Sequence, residues 1–588
     1  MPRTPAPTRC SRPSSVAWGS SIRVLPAFVV VALIAPSLHA QESTNACEGR
    51  RITEIAVSTN PPYPDEFLRR WEPLVEMIHR LHSTTRPSVV RRFLVFRTGQ
   101  ICSQLRLDES ERILRGQVFL ADAEIRAIPD GDGVRIEVET LDEIAITGGA
   151  SVTADSPFLT SLSLGDRNVV GSALELSGTW RDGFFYRDTW GGHIVHRQLF
   201  GRPYEMRLRG ARETHGSRWE GELRHAFLTD LQRLGWRVSG GSSNELYPLV
   251  REDAQSGAIS IERAHADIGG VVRVGEVGRR LSLFGASLSR EHEVPGDAFV
   301  MVTDTGVFND PSVNLADRFG RHRTARVNAL WGVRAIRFMR VTAFDALAAP
   351  QDVREGFQLG TLLGRSLSVL GSEDDDIFAA ADLYVGAGSP RVFAAMQIQA
   401  EGRQDYDENR WDGILGSGRG ALYARLDERH TFVGSVEWSG GWRQRLPFQL
   451  TLADQDGGVR GYGGSRAGGA RRTVIRLEER WRIGRPRDLA ELGVAFFADG
   501  GKLWAGDVPF GVSTKPRVGV GVGFLVALPP QSRHMWRLEV AGPISSDPHA
   551  GWEVRLFSRD LTRVFWREPR DVARNRERSL PVSVFSWP

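Results

Sequence analysis

From about residue 145 the chain repeats one pattern, in segments of roughly eight to fourteen residues separated by Gly, Asp, Asn and Pro. Within each segment the side chains alternate in character. In "RVGVGVGF", Val518, Val520, Val522 and Phe524 fall on one face, and Gly519, Gly521 and Gly523 fall on the other. In "WRLEV", Trp536, Leu538 and Val540 oppose Arg537 and Glu539. In "VIRLEERW", Ile475, Leu477 and Trp481 oppose Arg476, Glu478 and Arg480, and Glu479 breaks the alternation. A period of two is the signature of β-strand, and helical periods are missing here. Strands with one apolar and one charged face build either a soluble sandwich or propeller, apolar face inward, or a transmembrane barrel, apolar face toward lipid. The lack of a repeat of about 40 to 50 residues counts against a propeller.

The first forty residues point outside the cytoplasm. Arg3, Arg9, Arg12 and Arg23 are their only charges, the apolar run "VLPAFVVVALI" spans Val24 to Ile34, and small residues lead to Ala40. This order predicts a cleaved secretory signal over residues 1–40. The run is too short for a membrane helix, which needs about 17 to 25 residues. Removing four arginines and no acids cancels the formal charge of +4, so charge does not argue for a nucleic-acid partner. Only Lys502 and Lys515 are lysines among 75 basic residues, and the arginines are spread evenly, as coding bias would leave them. Cys10 departs with the leader. Cys47 and Cys102 remain in an oxidising compartment, where they form either a disulfide or two buried thiols.

Residues 51–140 mix helix and strand. "RITEIAV" reads as a strand. "EFLRRWEPLVEMIHRL" carries apolar residues at helical spacing over Asp65 to His82, with a kink at Pro73. "VVRRFLVF" puts Val89, Val90, Phe93 and Leu94 on one helical face, and Gly99 follows as a stop. "LDESERILRG" predicts a helix with Asp108 as N-cap, Glu111 completing a capping box, and Gly116 as its end. "ADAEIRAI" and "GVRIEVETL" flank the turn "PDGDG" as a hairpin, with Val134, Ile136 and Val138 on its buried face. This order of strand, helices, strand, strand resembles a POTRA domain, the periplasmic module of outer-membrane assembly proteins.

One insertion interrupts the strand pattern. "LADQDGGVRGYGGSRAGG", residues 452–469, is mostly Gly, Arg and Asp around a central "VRGY". Val459, Arg460, Gly461 and Tyr462 resemble the signature that the BamA/TamA family carries at the tip of its sixth extracellular loop. "FADGG", Phe497 to Gly501, resembles the family's F-x-D-x-G strand motif. Glu478 and Arg480 match an E-x-R pair on the strand between, and "GDRNVVGSALEL", around Asn168 and Gly171, resembles the first turn of the family barrel. Together with the leader and the POTRA-like segment, the resemblance covers roughly residues 50–565.

The resemblance implies a mainly β chain: a POTRA-like periplasmic α+β domain over 41–143, an antiparallel outer-membrane barrel of about 16 strands over 144–566, and a tail over 567–588. More strand candidates precede the insertion than the eleven such a barrel allows, so the surplus is expected in outer-loop hairpins or split strands. The closing strand is expected to end at Phe565 or Trp566. Function is expected to be insertion, assembly or translocation of polypeptides, with outer-membrane lipid, an unfolded client or exported protein, and periplasmic accessory proteins as partners. A translocator usually has two POTRA modules and an N-terminal plug helix, and neither is evident. The alternative is a passive porin or surface antigen with the same fold.

Physical chemistry assigns the insertion a role within this expectation. A planar, permanently charged guanidinium seeks a fixed carboxylate. Asp499 shares a strand face with Phe497 and Ala495, opposite Phe496, and so is expected to point into the lumen as the mate of Arg460. Glu478 is a second acceptor, and Tyr462 is expected to pack on the wall. Enzyme motifs are missing: the sequence has no G-x-S-x-G, H-E-x-x-H or C-x-x-C. The acidic run Ser372–Phe378 lacks the Gly and terminal Glu of an EF-hand, so it reads as an outer turn rather than a metal site. No cofactor is expected.

Overall fold

The computed structural model describes residues 47–576 except 64–81, 154–158, 183–188, 253–256, 278–279, 304–305, 316, 407–408, 455–456, 546, 548–549 and 561–567. The leader, nearly all of the helix expected over Asp65–His82, the expected strand end at Phe565 or Trp566, and the tail beyond Arg576 lie outside the described residues.

Residues 47–143 fold as β1 (Ile52–Asn60), α1 (Pro87–Phe93), α2 (Gln104–Arg115), β2 (Leu120–Asp130) and β3 (Gly133–Asp142). β3 is central, parallel to β1 and antiparallel to β2. Its alternation works as read: Val134, Ile136 and Val138 are buried and pack with Val89, Val90, Phe93, Ile113, Leu114 and Phe119 of the helical layer. The hairpin turns through Gly131, whose φ of +57° a side chain adopts only under strain. Asp108 is not the N-cap. α2 begins four residues earlier, behind Ser103, and the carboxylate of Glu48 accepts the Gln104 N–H at 3.1 Å. That cap comes from a distant segment, so local sequence did not disclose it. Gly116 ends the helix as expected.

The two cysteines are joined. Cys47 and Cys102 sit with Cα atoms 5.3 Å apart, both buried, and the bridge pins the segment before β1 to the α1–α2 connection.

Residues 146–560 form a closed antiparallel barrel of 20 strands, from Ile146–Thr153 to Glu553–Asp560. The expectation of about 16 was wrong for an instructive reason. The alternating segments before the insertion are wall strands, and the family count had assigned the surplus to loops. Among the described strands of this sheet only the short Gly306–Asn309 is a hairpin extension, pairing with Leu281–Thr303 alone. Strand length is uneven round the ring. The strands that follow closure, from Ile146 to His225, have 8 to 10 residues, whereas Leu281–Thr303 has 23. The first and last strands meet through five residue pairs, from Glu553↔Thr153 to Phe557↔Gly149.

The faces sort by chemistry. Val238, Ile268, Phe284, Trp331, Leu422, Ile475, Leu477, Phe496, Val522 and Leu538 all stand exposed on the outside. A continuous apolar exterior of this kind is wrong for water and right for hydrocarbon, and closure leaves no unpaired edge in it. Glu479 does fall on that outer face. It sits at 3.1 Å from His430, which stacks on Trp481.

The α/β unit is fastened to one mouth of the barrel. Arg115 makes a bidentate bridge to Asp352 at 3.0 and 3.1 Å, Gln198 donates to the Val89 carbonyl at 2.8 Å, and the backbone of Arg533 donates to Glu143 at 2.9 Å. Two turns and the start of the strand Pro350–Ser366 on that side thus carry the unit.

The bridge between Cys47 and Cys102 closes a loop of 55 residues. Loss of such a bridge costs about 4 kcal/mol on chain-entropy grounds. Cys102→Ser should therefore make residues 47–143 markedly more susceptible to limited proteolysis while the barrel stays resistant. Rapid thiol labelling of the unreduced native protein would contradict the bridge.

Candidate functional site

The glycine-rich insertion folds back into the barrel. Arg460 is buried within the lumen. Its Nε and Nη2 donate to the two oxygens of Asp499 at 2.7 and 2.8 Å, the planar fork expected of this pair. Nη1 donates to Glu478 and to Glu539, both at 3.3 Å. The guanidinium lies over the ring of Phe497 at 3.4 Å from its centroid. Asp499 also accepts the backbone N–H of Arg460 at 3.3 Å, so side chain and main chain are held by one carboxylate.

Alternation places each partner. On the strand Glu491–Trp504, Phe496 is 54 % exposed to the outside, whereas Phe497 and Asp499 face inward and are buried. On Arg471–Gly484, Glu478 and Arg480 face inward while Leu477 and Trp481 face out. Arg480 donates to Glu478 at 2.6 Å and to the carbonyls of Phe344 and Asp345 at 2.6 and 3.1 Å, linking the site to the turn 343–349.

Glycines make room for the loop. A Cβ at Gly519 would stand 2.0 Å from the carbonyl oxygen of Arg460, so the wall must be bare there. Gly461 has φ +90° and presses against the backbone of Gly542. Val459 is fully buried with Leu452 against Gly501. Tyr462 is fully buried, and its hydroxyl lies 3.1 and 3.0 Å from the carbonyls of Val518 and Ser545.

Thus Val459, Arg460, Gly461, Tyr462, Glu478, Arg480, Phe497 and Asp499 converge. Asn168 and Gly171 do not join them. Their turn lies at the opposite mouth, where Asn168 Nδ2 donates to Thr85 at 2.8 Å and the Gly171 carbonyl accepts the Arg86 N–H at 3.1 Å. A Cβ at Gly171 would meet the Thr84 carbonyl at 2.2 Å, so this glycine is needed for close docking of the α/β unit.

Four charged residues of the network, Arg537, Glu539, Arg555 and Asp454, were not among the expected site residues. Arg537 donates to both oxygens of Glu478 at 3.1 and 3.0 Å and to Glu539 at 2.6 Å. The cluster therefore balances Arg460, Arg480 and Arg537 against Glu478, Asp499 and Glu539. The signal was present: Arg537 and Glu539 oppose Trp536 and Leu538, which put them on the lumen face. Arg555 extends the network, bridging Glu539 at 3.0 Å and pairing with Asp454 of the insertion.

A second anchor holds the root of the insertion. Arg445 bridges Asp374 at 2.9 Å and Asp376 at 3.2 Å, so the acidic run Ser372–Phe378 faces arginines. Among the described residues no group of His, Cys, Asp or Glu is placed to hold a metal ion.

No protein-family model matches the sequence, and no curated protein matches it. Solved structures to which the chain is similar include BamA from Haemophilus ducreyi, in a form lacking POTRA domains 1–3, at 12% identity over 87% of this chain and 84% of that one, with a TM-score of 0.35. CdiB from Escherichia coli is similar at 11% identity over 87% and 77%, with a TM-score of 0.43. The outer-membrane protein OpdK from Pseudomonas aeruginosa is similar at 14% identity over 70% and 96%, with a TM-score of 0.30.

Removing one member of a buried ion pair strands the other charge at about 3–5 kcal/mol. Arg460→Ala should therefore lower barrel stability against denaturant by about that amount, and Asp499→Ala should do so comparably. The double variant should resemble either single one, since partners in one cluster are not additive. Arg460→Lys should recover only part of the loss, because a point charge cannot replace a planar fork. Fully additive losses in equilibrium unfolding would contradict the lock.

Proposed function

We propose that the chain is an outer-membrane barrel of the BamA/TamA type that assists insertion, assembly or translocation of polypeptides, with residues 41–143 as a POTRA-like periplasmic module. The observation that carries this reading is the "VRGY" loop itself. A long loop held inside a closed barrel by a buried six-charge cluster costs more to build than a surface loop, and it braces the last strands of the wall from within. Four successive strands, Arg471–Gly484, Glu491–Trp504, Arg517–Ala527 and His534–Pro543, each supply a contact to it.

Bracing has a use in this reading. The seam between Glu553–Asp560 and Ile146–Thr153 is held by five residue pairs, fewer than the pairing of Arg471–Gly484 with Glu491–Trp504. Parting it would expose two strand edges, and an unpaired edge templates an incoming strand through main-chain hydrogen bonds. The lock would hold the strands beside the seam in shape while the seam itself opens. The apolar exterior supports outer-membrane residence, since an exported chain with such a barrel meets hydrocarbon only there. Partners on this reading are lipid, an unfolded or exported polypeptide, and accessory proteins at the α/β unit. The reading involves no enzyme chemistry and no cofactor.

The test is reconstitution in liposomes with an unfolded barrel client, following client folding by protease protection. The chain should accelerate client folding severalfold, and Arg460→Ala should lose most of that acceleration while still inserting. Client folding no faster than in empty liposomes would favour a passive porin or surface antigen.

A further inference from the structure

After the closing strand the chain returns to the barrel interior. Residues Glu568–Arg576, with α3 (Arg570–Asn575) at their centre, lie inside the lumen beside the glycine-rich loop. Asp571 accepts Nη1 and Nη2 of Arg472 at 2.5 and 3.0 Å, and both side chains are buried. It also accepts the backbone N–H of Thr451 at 3.4 Å. Val572 is fully buried in the apolar cluster formed by Leu450, Leu452, Val459 and Tyr462. Asn575 donates to the Tyr247 hydroxyl at 3.0 Å, and Arg263 donates to the Arg574 carbonyl at 2.6 Å. Arg576 donates to Glu401 and Ser417, both at 2.9 Å, and to Glu568 at 2.8 Å.

The wall partners share two properties. Each lies on an inward row of its strand. They also come from separated parts of the ring: the strands of Tyr247 and Arg263 are nearly opposite that of Arg472, and those of Glu401 and Ser417 lie between. The segment therefore crosses the lumen rather than lining one side. A barrel of this size would otherwise enclose a water-filled channel.

We propose that Glu568–Arg576 is an intrachain plug that closes the lumen, latched to the wall by the Asp571–Arg472 and Arg576–Glu401 pairs, and that opening the channel requires its displacement. The same latch couples the plug to the loop, because Asp571 holds Thr451 and Val572 packs on the loop core. This inference stands on the barrel alone and does not depend on the insertase reading.

The test is single-channel conductance in planar bilayers, with heat-modifiable gel mobility confirming a folded barrel for each variant. Wild-type protein should conduct weakly. Asp571→Arg, Arg472→Asp and a chain ending at Arg567 should each conduct severalfold more. The double reversal Arg472→Asp/Asp571→Arg should return conductance toward the wild-type level. Equal conductance in wild type and the single reversals would overturn the proposal. A measurement on the otherwise intact chain covers the case in which those variants fail to fold. A cysteine at Val572 should resist membrane-impermeant maleimide, and rapid labelling there would overturn the plug.

Discussion

A guanidinium removed from water must find acceptors for its N–H groups and a compensating charge, and in this barrel the Arg460 side chain dictates where its carboxylates stand. Asp499 takes its fork, Glu478 and Glu539 take its remaining edge, and Phe497 lies under its face. Those residues come from three different strands, so one loop side chain constrains the register of that part of the wall. Slipping any of the strands by one residue would turn its acid out to the apolar surface and leave the arginine stranded. The glycine face at Gly519 and the left-handed Gly461 follow from the same demand, since the loop backbone must come within contact of the wall for the fork to reach.

Much of this was legible because a period of two is hard to disguise. Phe496 and Phe497 are adjacent and identical, yet alternation alone sent one to the outside and the other to the lumen, and it sent Asp499 with the second. The strand count was misjudged where a family expectation overrode that same periodicity. Arg537 and Glu539 were visible as inward residues, but nothing local ties a strand to a loop some eighty positions away. The helix start at Ser103 was hidden because its cap is Glu48, far off in sequence. The role of the tail was hidden for a related reason. A six-residue helix has almost no intrinsic stability, and the partners that fix it, Arg472, Tyr247 and Glu401, are scattered over the ring.

The two ends of the barrel use different chemistry. At the mouth carrying the α/β unit, close backbone approach and neutral hydrogen bonds work beside one ion pair and one buried carboxylate: Gly171 against Thr84, Asn168 to Thr85, Gln198 to Val89, Arg115 to Asp352 and the Arg533 backbone to Glu143. From the other end into the lumen charge dominates, with the loop root on Asp374 and Asp376, the loop tip on Asp499, and the tail on Arg472. Desolvated pairs are costly to break singly and specific in geometry, which suits segments that must hold one position within a wide lumen.

The central claim is that the "VRGY" tip lives inside the lumen because of its arginine. A single cysteine in place of Val459, which is fully buried at that tip, tests it most directly through its rate of reaction with a membrane-impermeant maleimide on folded protein in liposomes. The account predicts a protected thiol with Arg460 in place and a readily labelled one when Arg460→Ala is added. Rapid labelling with Arg460 intact, or equal protection with and without it, would contradict the account.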